Sequence, residues 1–281
     1  DLFVKRSESP NMQYPDGIDG IYATITAALT DLNLRGVSGA TRFLLQDATY
    51  PTETFPLTVN ITNESVPTAT NTFTIKPDVG VTPLIQGAAA SSRIFFIRNS
   101  FVTIDGSNAP AGTTKDLTFE NTSVTAPQVL TIGSTGTTPI TNVTVKNCNI
   151  INGVNTNTAF TVFGADGNAG YFNDITIQNN LVKKAYIGIY CFAVVSSGNG
   201  SGLLIVNNLL DAITDPIRYT GIYAQGVDGM TITGNQIANF AKTTNEDDAG
   251  IWLATGTINS TIERNRIYSL GYTGTGGYGA H

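Results

Sequence analysis

The densest group of acidic side chains in this sequence is Glu246-Asp247-Asp248, within the polar segment T-T-N-E-D-D-A-G. Clustered carboxylate oxygens are the ligands that Ca²⁺ prefers. A polysaccharide lyase needs a base near the C5 proton of a uronic acid, and a cation or metal that neutralises the sugar carboxylate. The cluster is therefore a candidate Ca²⁺ site, and a solvated polar loop explains the same three residues equally simply.

Further charged residues lie in the same part of the chain. Basic side chains that could neutralise a sugar carboxylate are Lys183, Lys184, Arg218, Arg264 and Arg266. Glycoside hydrolysis uses two carboxylates, about 5 Å or 6.5–9.5 Å apart. The candidates for such a pair are Asp211, Asp215 and Asp228, although aspartates of this kind are also common in turns.

Several other chemistries are excluded by composition. The chain has one histidine, His281, so Ser-His-Asp and Cys-His nucleophilic arrangements and His/Cys zinc sites have no support. The net charge of −6 and the pI near 4.7 argue against binding of a nucleic-acid backbone. No apolar run approaches the ~18–20 residues of a membrane span.

Three aromatic residues follow equivalent Gly-Ile pairs. They are Tyr190, Tyr223 and Trp252, at steps of 33 and 29 residues. If the isoleucines point inward, alternation along a strand turns the aromatic rings outward, about 4.8 Å apart on neighbouring strands. Such a stripe could stack on sugar rings. Two alternatives stay open, an aromatic ladder that only stabilises the sheet and an inward-facing core.

Four asparagines recur in one local pattern, an apolar residue, two variable residues and then Asn. They lie at steps of 28, 27 and 30 residues: Asn180, Asn208, Asn235 and Asn265. Self-similarity at a period of 20–50 residues is typical of stacked repeats. Inward asparagines at equivalent bends can hydrogen-bond to one another as a ladder. We interpret these residues as structural, and the pattern continues upstream with Cys148, Thr122 and Ser107 in place of Asn.

Short strands surround each asparagine. Alternating apolar and Thr positions precede it, as in Ile175-Thr176-Ile177, and a second strand recurs with the Gly-Ile-aromatic motif. One unit therefore holds two or three strands and no helix, and it must stack on its neighbours to bury its inward face. A charged fraction of only 13% agrees with such a wall of Thr, Gly and Asn. The sequence predicts an all-β solenoid of parallel sheets.

The two ends differ from the repeats. Residues 20–33 carry the only helical pattern, with a predicted apolar face of Ala23, Ala27, Ala28, Leu29 and Leu32. We expect this helix to cap the open edge of the first coil. The predicted organisation is an N-terminal segment with this helix over 1–40 and a β-helix over 41–281. Residues 271–281 form a Gly/Tyr loop, which predicts an uncapped, truncated end beyond which further coils or a partner follow.

The two cysteines, Cys148 and Cys191, are too few for a disulfide framework. Both fall at apolar, inward positions of the predicted strands. We expect buried free thiols there, which either redox compartment would permit.

The chain resembles the right-handed parallel β-helices of the pectate-lyase-like superfamily. More narrowly, it is similar to repetitive secreted surface proteins of Bacteroidetes that carry a C-terminal sorting domain. The residues behind this likeness are Tyr22-Ala23-Thr24 through Leu32, Phe101 to Ser107, Asp116 to Thr122 and the later Asn-x-Ile coils. The resemblance implies secretion and display on the outer cell surface.

Two functional classes follow, because this superfamily contains both binders and enzymes. The first is a secreted cell-surface adhesin, or a carbohydrate-binding or structural module, with a polysaccharide or surface glycan as partner. The alternative is a polysaccharide lyase or hydrolase that acts on acidic polysaccharides, with Ca²⁺ as its possible cofactor. The lack of a catalytic signature favours the first class, and no other cofactor is expected.

Overall fold

A computed structural model describes residues 2–6, 20–241, 247–271 and 279–280. The strands form three sheets that run the length of the molecule. Sheet A contains, in spatial order, β2 (Gly20–Tyr22), β1 (Leu2–Arg6), β3 (Thr41–Leu45), β5 (Phe73–Pro77), β8 (Val102–Asp105), β11 (Ile140–Lys146), β14 (Phe172–Gln178), β17 (Leu204–Val206), β20 (Thr231–Thr233) and β23 (Thr261–Glu263). Sheet B contains β6 (Leu84–Gly87), β9 (Leu117–Asn121), β12 (Cys148–Ile151), β15 (Leu181–Lys183), β18 (Leu209–Leu210), β21 (Gln236–Ala238) and β24 (Arg266–Tyr268). Sheet C contains β4 (Leu57–Val59), β7 (Phe95–Ile97), β10 (Leu130–Ser134), β13 (Phe160–Gly164), β16 (Ile187–Phe192), β19 (Thr220–Gln225) and β22 (Ala249–Leu253).

From β3 onward the chain winds around the three sheets and then starts the next coil, so strands of successive coils pair in parallel. Val145, for example, is aligned with Ile177, and Ile177 with Ile205 and then Ile232. All four side chains are buried in the single core between the sheets. The predicted parallel β-helix, of about seven turns in the described part of the chain, is confirmed.

The four repeated asparagines lie at the corner between sheets A and B and contact one another from coil to coil. The backbone N–H of Asn180 donates to Oδ1 of Asn208 at 2.9 Å, and its side-chain amide donates to the same oxygen at 3.1 Å. Asn208 makes the same two bonds to Asn235, and Asn235 makes them to Asn265. Cys148 occupies the position before Asn180, and its backbone N–H donates to Asn180 Oδ1 at 3.0 Å.

Each side-chain amide of this ladder also bonds backwards. Nδ2 of Asn208 donates to the carbonyl of Ile177 at 2.9 Å, and Nδ2 of Asn235 donates to that of Ile205 at 2.9 Å. One buried side chain thus joins three successive coils. Since a buried polar group without a partner costs about 1–3 kcal/mol, the ladder selects the register in which every amide is paired.

The residue directly before each ladder position turns the corner in the left-handed backbone region. The φ angles are +60° at Asn147, +51° at Asn179, +56° at Asn207, +68° at Gly234 and +55° at Arg264. Asn and Gly tolerate this region better than other residues. This explains why the residue before the ladder position is Asn or Gly in four of these five pairs.

The N-terminal helix α1 (Ile25–Arg35) is shifted from the predicted range of 20–33, because Gly20–Tyr22 forms strand β2. The predicted apolar face was partly wrong, since Ala23 and Ala27 are exposed. The buried residues of the helix are Ile25, Ala28, Leu29 and Leu32.

The start of α1 is set by a cap that the periodicity did not reveal. The Thr24 hydroxyl accepts the N–H of Ala27 at 3.0 Å. The Glu53 carboxylate, which comes from a distant loop, accepts the N–H groups of Ile25 and Thr26 at 2.8 and 2.6 Å. These bonds satisfy donors that the first helical turn leaves unpaired.

The helix and the first strand together cover the N-terminal edges of two sheets. Helix α1 packs beside β4, the edge strand of sheet C. Its Asn33 side chain donates to the carbonyl of Thr58 at 2.8 Å and accepts the N–H of Asn60 at 2.7 Å, as a neighbouring strand would. Strand β1 pairs antiparallel with β3 and covers sheet A. Edges protected in this way do not recruit another chain.

One repeat was assigned to the wrong corner. The segment Phe119 to Thr122 was expected in the ladder register, but β9 lies in sheet B, where Phe119 is aligned with Ile150. Asn121 instead lies at the corner between sheets B and C, and its Oδ1 accepts the N–H of Ala89 at 3.1 Å. Strands of the three sheets share one alternating pattern, so the sequence alone does not separate them.

Two predictions concern the C-terminal end of the chain and the boundary between its two predicted parts. The truncated C-terminal end falls mainly on residues outside the described part, and the domain boundary at residue 40 stays a prediction. In the described residues, no helix is both long and apolar enough to cross a membrane.

Removing one ladder amide should destabilise the whole solenoid. We expect Asn208→Ala to lower the free energy of unfolding by about 3 kcal/mol or more, since it removes the acceptor of the buried Asn180 N–H, the side-chain donor to the Ile177 carbonyl and one of the two donors to Asn235 Oδ1. Urea titration followed by circular dichroism measures the change. The control Asn168→Ala removes an exposed side chain bonded to Asp166 and should cost about 0.5 kcal/mol or less. Equal losses in the two variants would contradict the structural role of the ladder.

Candidate functional site

The three predicted aromatic residues lie side by side on the outer face of sheet C. Tyr190 is aligned with Tyr223, and Tyr223 with Trp252. The neighbouring residues Ile189 and Cys191 are completely buried, so alternation along the strand turns Tyr190 outward. Tyr190 and Tyr223 are half-buried, and Trp252 is 40% exposed. We call these three residues the aromatic column.

The rings of the column contact one another in two geometries. Tyr190 and Tyr223 are stacked, with centroids 5.0 Å apart and planes at 22°. Trp252 lies 5.7 Å from Tyr223, but its plane is turned by 61°. The Tyr223 hydroxyl donates to Gln225 Oε1 at 2.8 Å, which fixes the ring on the sheet. The first pair therefore forms a ladder, and the Trp252 indole does not continue it in the same stacked geometry.

A second tyrosine pair extends the aromatic surface and was missed in the sequence. Tyr186 and Tyr219 stack with centroids 4.7 Å apart and planes at 9°, and Tyr219 lies 6.0 Å from Trp252. The Arg218 guanidinium lies over the Tyr186 ring at 5.6 Å. A signal was present, because in both coils a tyrosine precedes the column residue by four positions.

In the third coil, the position four residues before Trp252 is occupied by Asp248. Its neighbour Ala249 donates its N–H to the carbonyl of Tyr219 at 2.9 Å, which brings the acidic segment beside the tyrosine pair. Asp248 is 2% exposed. The fold thus brings the acidic segment close to the aromatic residues, although nothing in the sequence connects these two groups.

The remaining acidic candidates are dispersed. Asp247 is exposed, and its Oδ1 accepts the N–H of Gly279 at 2.7 Å. Glu246 lies outside the described residues, so the metal site of residues 246–248 stays a prediction. Within the described ranges, no group of three or more His, Cys, Asp or Glu side chains is arranged to hold a metal ion.

Of the aspartates considered for glycoside hydrolysis, Asp228 and Asp215 make contacts at bends of the chain, whereas the Asp211 carboxylate accepts a hydrogen bond from the Gln236 side chain. Asp228 Oδ2 accepts the N–H of Gly198 at 2.7 Å, and Asp228 Oδ1 accepts the Asn259 amide at 2.9 Å. The Gly198 bond, followed by that from Asn259, lowers the pKa of the Asp228 carboxyl. A carboxyl with a lowered pKa stays ionised and is a poor general acid. Asp215 lies 3.8 Å from the Lys184 ammonium at another bend.

The outward column of sheet C continues beyond the aromatic rings. Thr161 is aligned with Tyr190, Thr131 with Thr161, and Phe96 with Thr131. The two threonine hydroxyls are 2.8 Å apart and buried. This column of sheet C therefore carries aromatic side chains at both ends, with two buried threonines between them.

Comparisons with known proteins give one solved structure. No family model matches the chain, and no curated protein does. The fold is similar to the crystal structure of PfbA, a surface adhesin of Streptococcus pneumoniae, with 15% sequence identity and a TM-score of 0.44. The match covers 88% of this chain and 76% of that chain. Similarity at this level does not indicate a shared function.

The cysteines of the described strands provide a test of which side chains face inward. Cys148 and Cys191 are free and buried, and burial raises the pKa of the Cys191 thiol to about 12. Burial also raises the pKa of Cys148. Because the thiolate is the nucleophile, we expect neither residue to react with iodoacetamide at pH 8 in the folded protein, and both to react in urea. Mass spectrometry counts the adducts, and rapid native labelling of Cys191 would contradict an outward Tyr190.

Proposed function

We propose that this protein is a secreted cell-surface β-helix that binds carbohydrate through the aromatic column Tyr190, Tyr223 and Trp252. The observation that carries the proposal is the alignment of three outward rings on one rigid sheet, beside the stacked pair Tyr186 and Tyr219. Sugar rings present flat apolar C–H faces, and aromatic side chains offer flat apolar surfaces with little conformational entropy to lose.

An aromatic ladder without a ligand is the competing interpretation. It accounts for Tyr190 and Tyr223, whose rings stack on each other. It accounts less well for Trp252, whose plane is turned by 61° from that of Tyr223. The turned indole lies 6.0 Å from Tyr219, and this arrangement favours a platform whose ligand contacts are concentrated at these two residues.

Secretion and surface display belong to the same proposal. They are supported by the resemblance to pectate-lyase-like β-helices and to secreted surface proteins of Bacteroidetes. A rigid solenoid with a low charged fraction suits a stalk or adhesin that presents one face to a glycan. The proposed partner is a polysaccharide or surface glycan.

A second candidate function is a lyase that acts on acidic polysaccharides, with Ca²⁺ held by residues 246–248. It is favoured by one observation, the position of Asp248 beside Tyr219. An acidic segment next to an aromatic surface could hold a metal close to a bound sugar. Incubation with a uronic-acid polymer and Ca²⁺ distinguishes the candidates, because a lyase releases unsaturated products that absorb in the ultraviolet.

The chain contains a single tryptophan, so its fluorescence reports directly on the column. We expect oligosaccharide binding to change the Trp252 emission, and Tyr223→Ala to weaken binding at least about tenfold, or about 1.4 kcal/mol. Trp252→Ala, followed by calorimetry, should weaken it further. Tyr268→Ala removes an aromatic ring that lies on sheet B and should leave the affinity unchanged. An unchanged affinity in Tyr223→Ala and Trp252→Ala would reject the platform.

A further inference from the structure

The far end of the sheet C column carries two arginines around one aromatic ring. The guanidinium carbon of Arg93 lies 4.5 Å from the centroid of Phe96, and that of Arg98 lies 5.6 Å from it. Both contacts are within the range in which an aromatic ring attracts a cation. Phe96 therefore holds two positive charges near each other on the outer face. We call these three residues the arginine cluster.

The position of the ring is itself determined by the backbone. A Cβ atom added to Gly133, on the adjacent strand, would lie 2.7 Å from Phe96 Cε2. Only glycine at this outward position lets the ring lie over the strand. The arginine cluster is thus built on the rigid sheet through Gly133 and Phe96.

Neither arginine is paired with a carboxylate in the part of the chain that the structure describes. Arg98 Nη2 donates to Thr135 Oγ1 at 3.1 Å. Nη1 of Arg93 and Nε of Arg98 are shielded from solvent and have no hydrogen-bond partner among the described residues. Arg35 and Arg264, in contrast, lie 2.6 and 3.6 Å from the carboxylates of Asp31 and Glu263.

Two partly desolvated cations without a counter-charge are an unfavourable arrangement. Burial also lowers the pKa of Arg93, which reports the same desolvation. The planar fork of a guanidinium matches the two oxygens of a carboxylate or sulfate group. An oxyanion bound to the remaining N–H groups would supply the missing negative charge. Since the chain as a whole carries a net charge of −6, the positive charge here is a local feature.

We propose that Arg93 and Arg98 form an oxyanion site for an acidic polysaccharide at the outer face of sheet C, the sheet that also carries Tyr190, Tyr223 and Trp252. The register places Phe96 and Trp252 in one outward column five coils apart, roughly 24 Å at about 4.8 Å per coil. The assignment of a glycan rests on the proposed function of the aromatic column. The shared chemistry is an oxyanion on a sugar ring, either a carboxylate or a sulfate ester.

The experiment titrates the full chain with three polymers by calorimetry at low salt. Oligogalacturonate carries carboxylates, its methyl ester is the neutral match, and dextran sulfate carries sulfate esters. We expect wild type to bind at least one anionic polymer at least tenfold more tightly than the methyl ester. Arg93→Gln and Arg98→Gln should each reduce that affinity about tenfold, and high salt should reduce it as well.

The control is Arg42→Gln, because Arg42 is an exposed arginine on β3 of sheet A. It should bind within twofold of wild type. If a glutamine variant fails to fold, Arg98→Lys keeps the charge without the fork and should bind several-fold more weakly than wild type. A preference for oligogalacturonate supports a carboxylate ligand, and a preference for dextran sulfate supports a sulfate ester.

Comparison of the arginine variants with Tyr223→Ala distinguishes a failure of the oxyanion site from a failure of the aromatic platform. Loss of anionic binding in Arg93→Gln and Arg98→Gln, with no effect of Tyr223→Ala, supports the oxyanion site and rejects the aromatic platform. The reverse result, with the arginine variants unchanged and Tyr223→Ala impaired, overturns the oxyanion site and leaves the platform standing. Equal affinity for the ester and the acid, or no binding of either anionic polymer by wild type, also overturns it.

Discussion

The asparagine ladder between sheets A and B is the interaction on which the other alignments depend. Asn208 accepts two hydrogen bonds from Asn180, donates two to Asn235, and donates one more to the carbonyl of Ile177. In a parallel sheet, a slip by one residue would exchange the inner and outer faces. It would also separate all of these buried groups, at about 1–3 kcal/mol each. The ladder therefore fixes the rotation of each coil on the next, and with it the position of every outward side chain.

The features that repeat in the sequence could be predicted, because every coil must bury its inward face and pair its corner amides with the next coil. An inward Asn after a left-handed residue recurs at Asn180, Asn208, Asn235 and Asn265, so its spacing revealed the coil length and the parallel sheets. The first and last residues of α1, in contrast, are not part of any repeated pattern. The start of the helix depends in part on the Glu53 carboxylate, which comes from a distant segment, and no periodicity contains such a contact. The misplaced Phe119 segment has a related cause, since three sheets with one alternating pattern are distinguished only by their partners.

The candidate site was predicted in part for the same reason. Tyr190, Tyr223 and Trp252 each follow a Gly-Ile pair, and this shared motif predicts that they lie at aligned positions of neighbouring strands. The outward positions of the earlier coils are Thr131, Thr161 and Phe96, and these share no motif. Their membership of the same column follows only from the strand register. Arg93 and Arg98 carry no sequence signal either, because an unpaired cation is recognised by the absence of an acidic neighbour in space.

Along strands such as β16 and β19, residues that pack in the core alternate with residues that face a possible ligand. Inward positions such as Ile189, Ile222 and Val162 are completely buried, so their size and polarity are constrained by packing. Outward positions that are only half-buried, such as Tyr190 and Tyr223, can change without disturbing that core, provided that the ladder keeps the register. A ligand bound on this face meets side chains already ordered by their neighbours, as the Tyr223 hydroxyl is by Gln225. Little conformational entropy remains to be lost on binding. The outer face of sheet C carries the aromatic column and two arginines that have no carboxylate partner among the described residues. It is therefore the part of this molecule best suited to recognise an extended polymer.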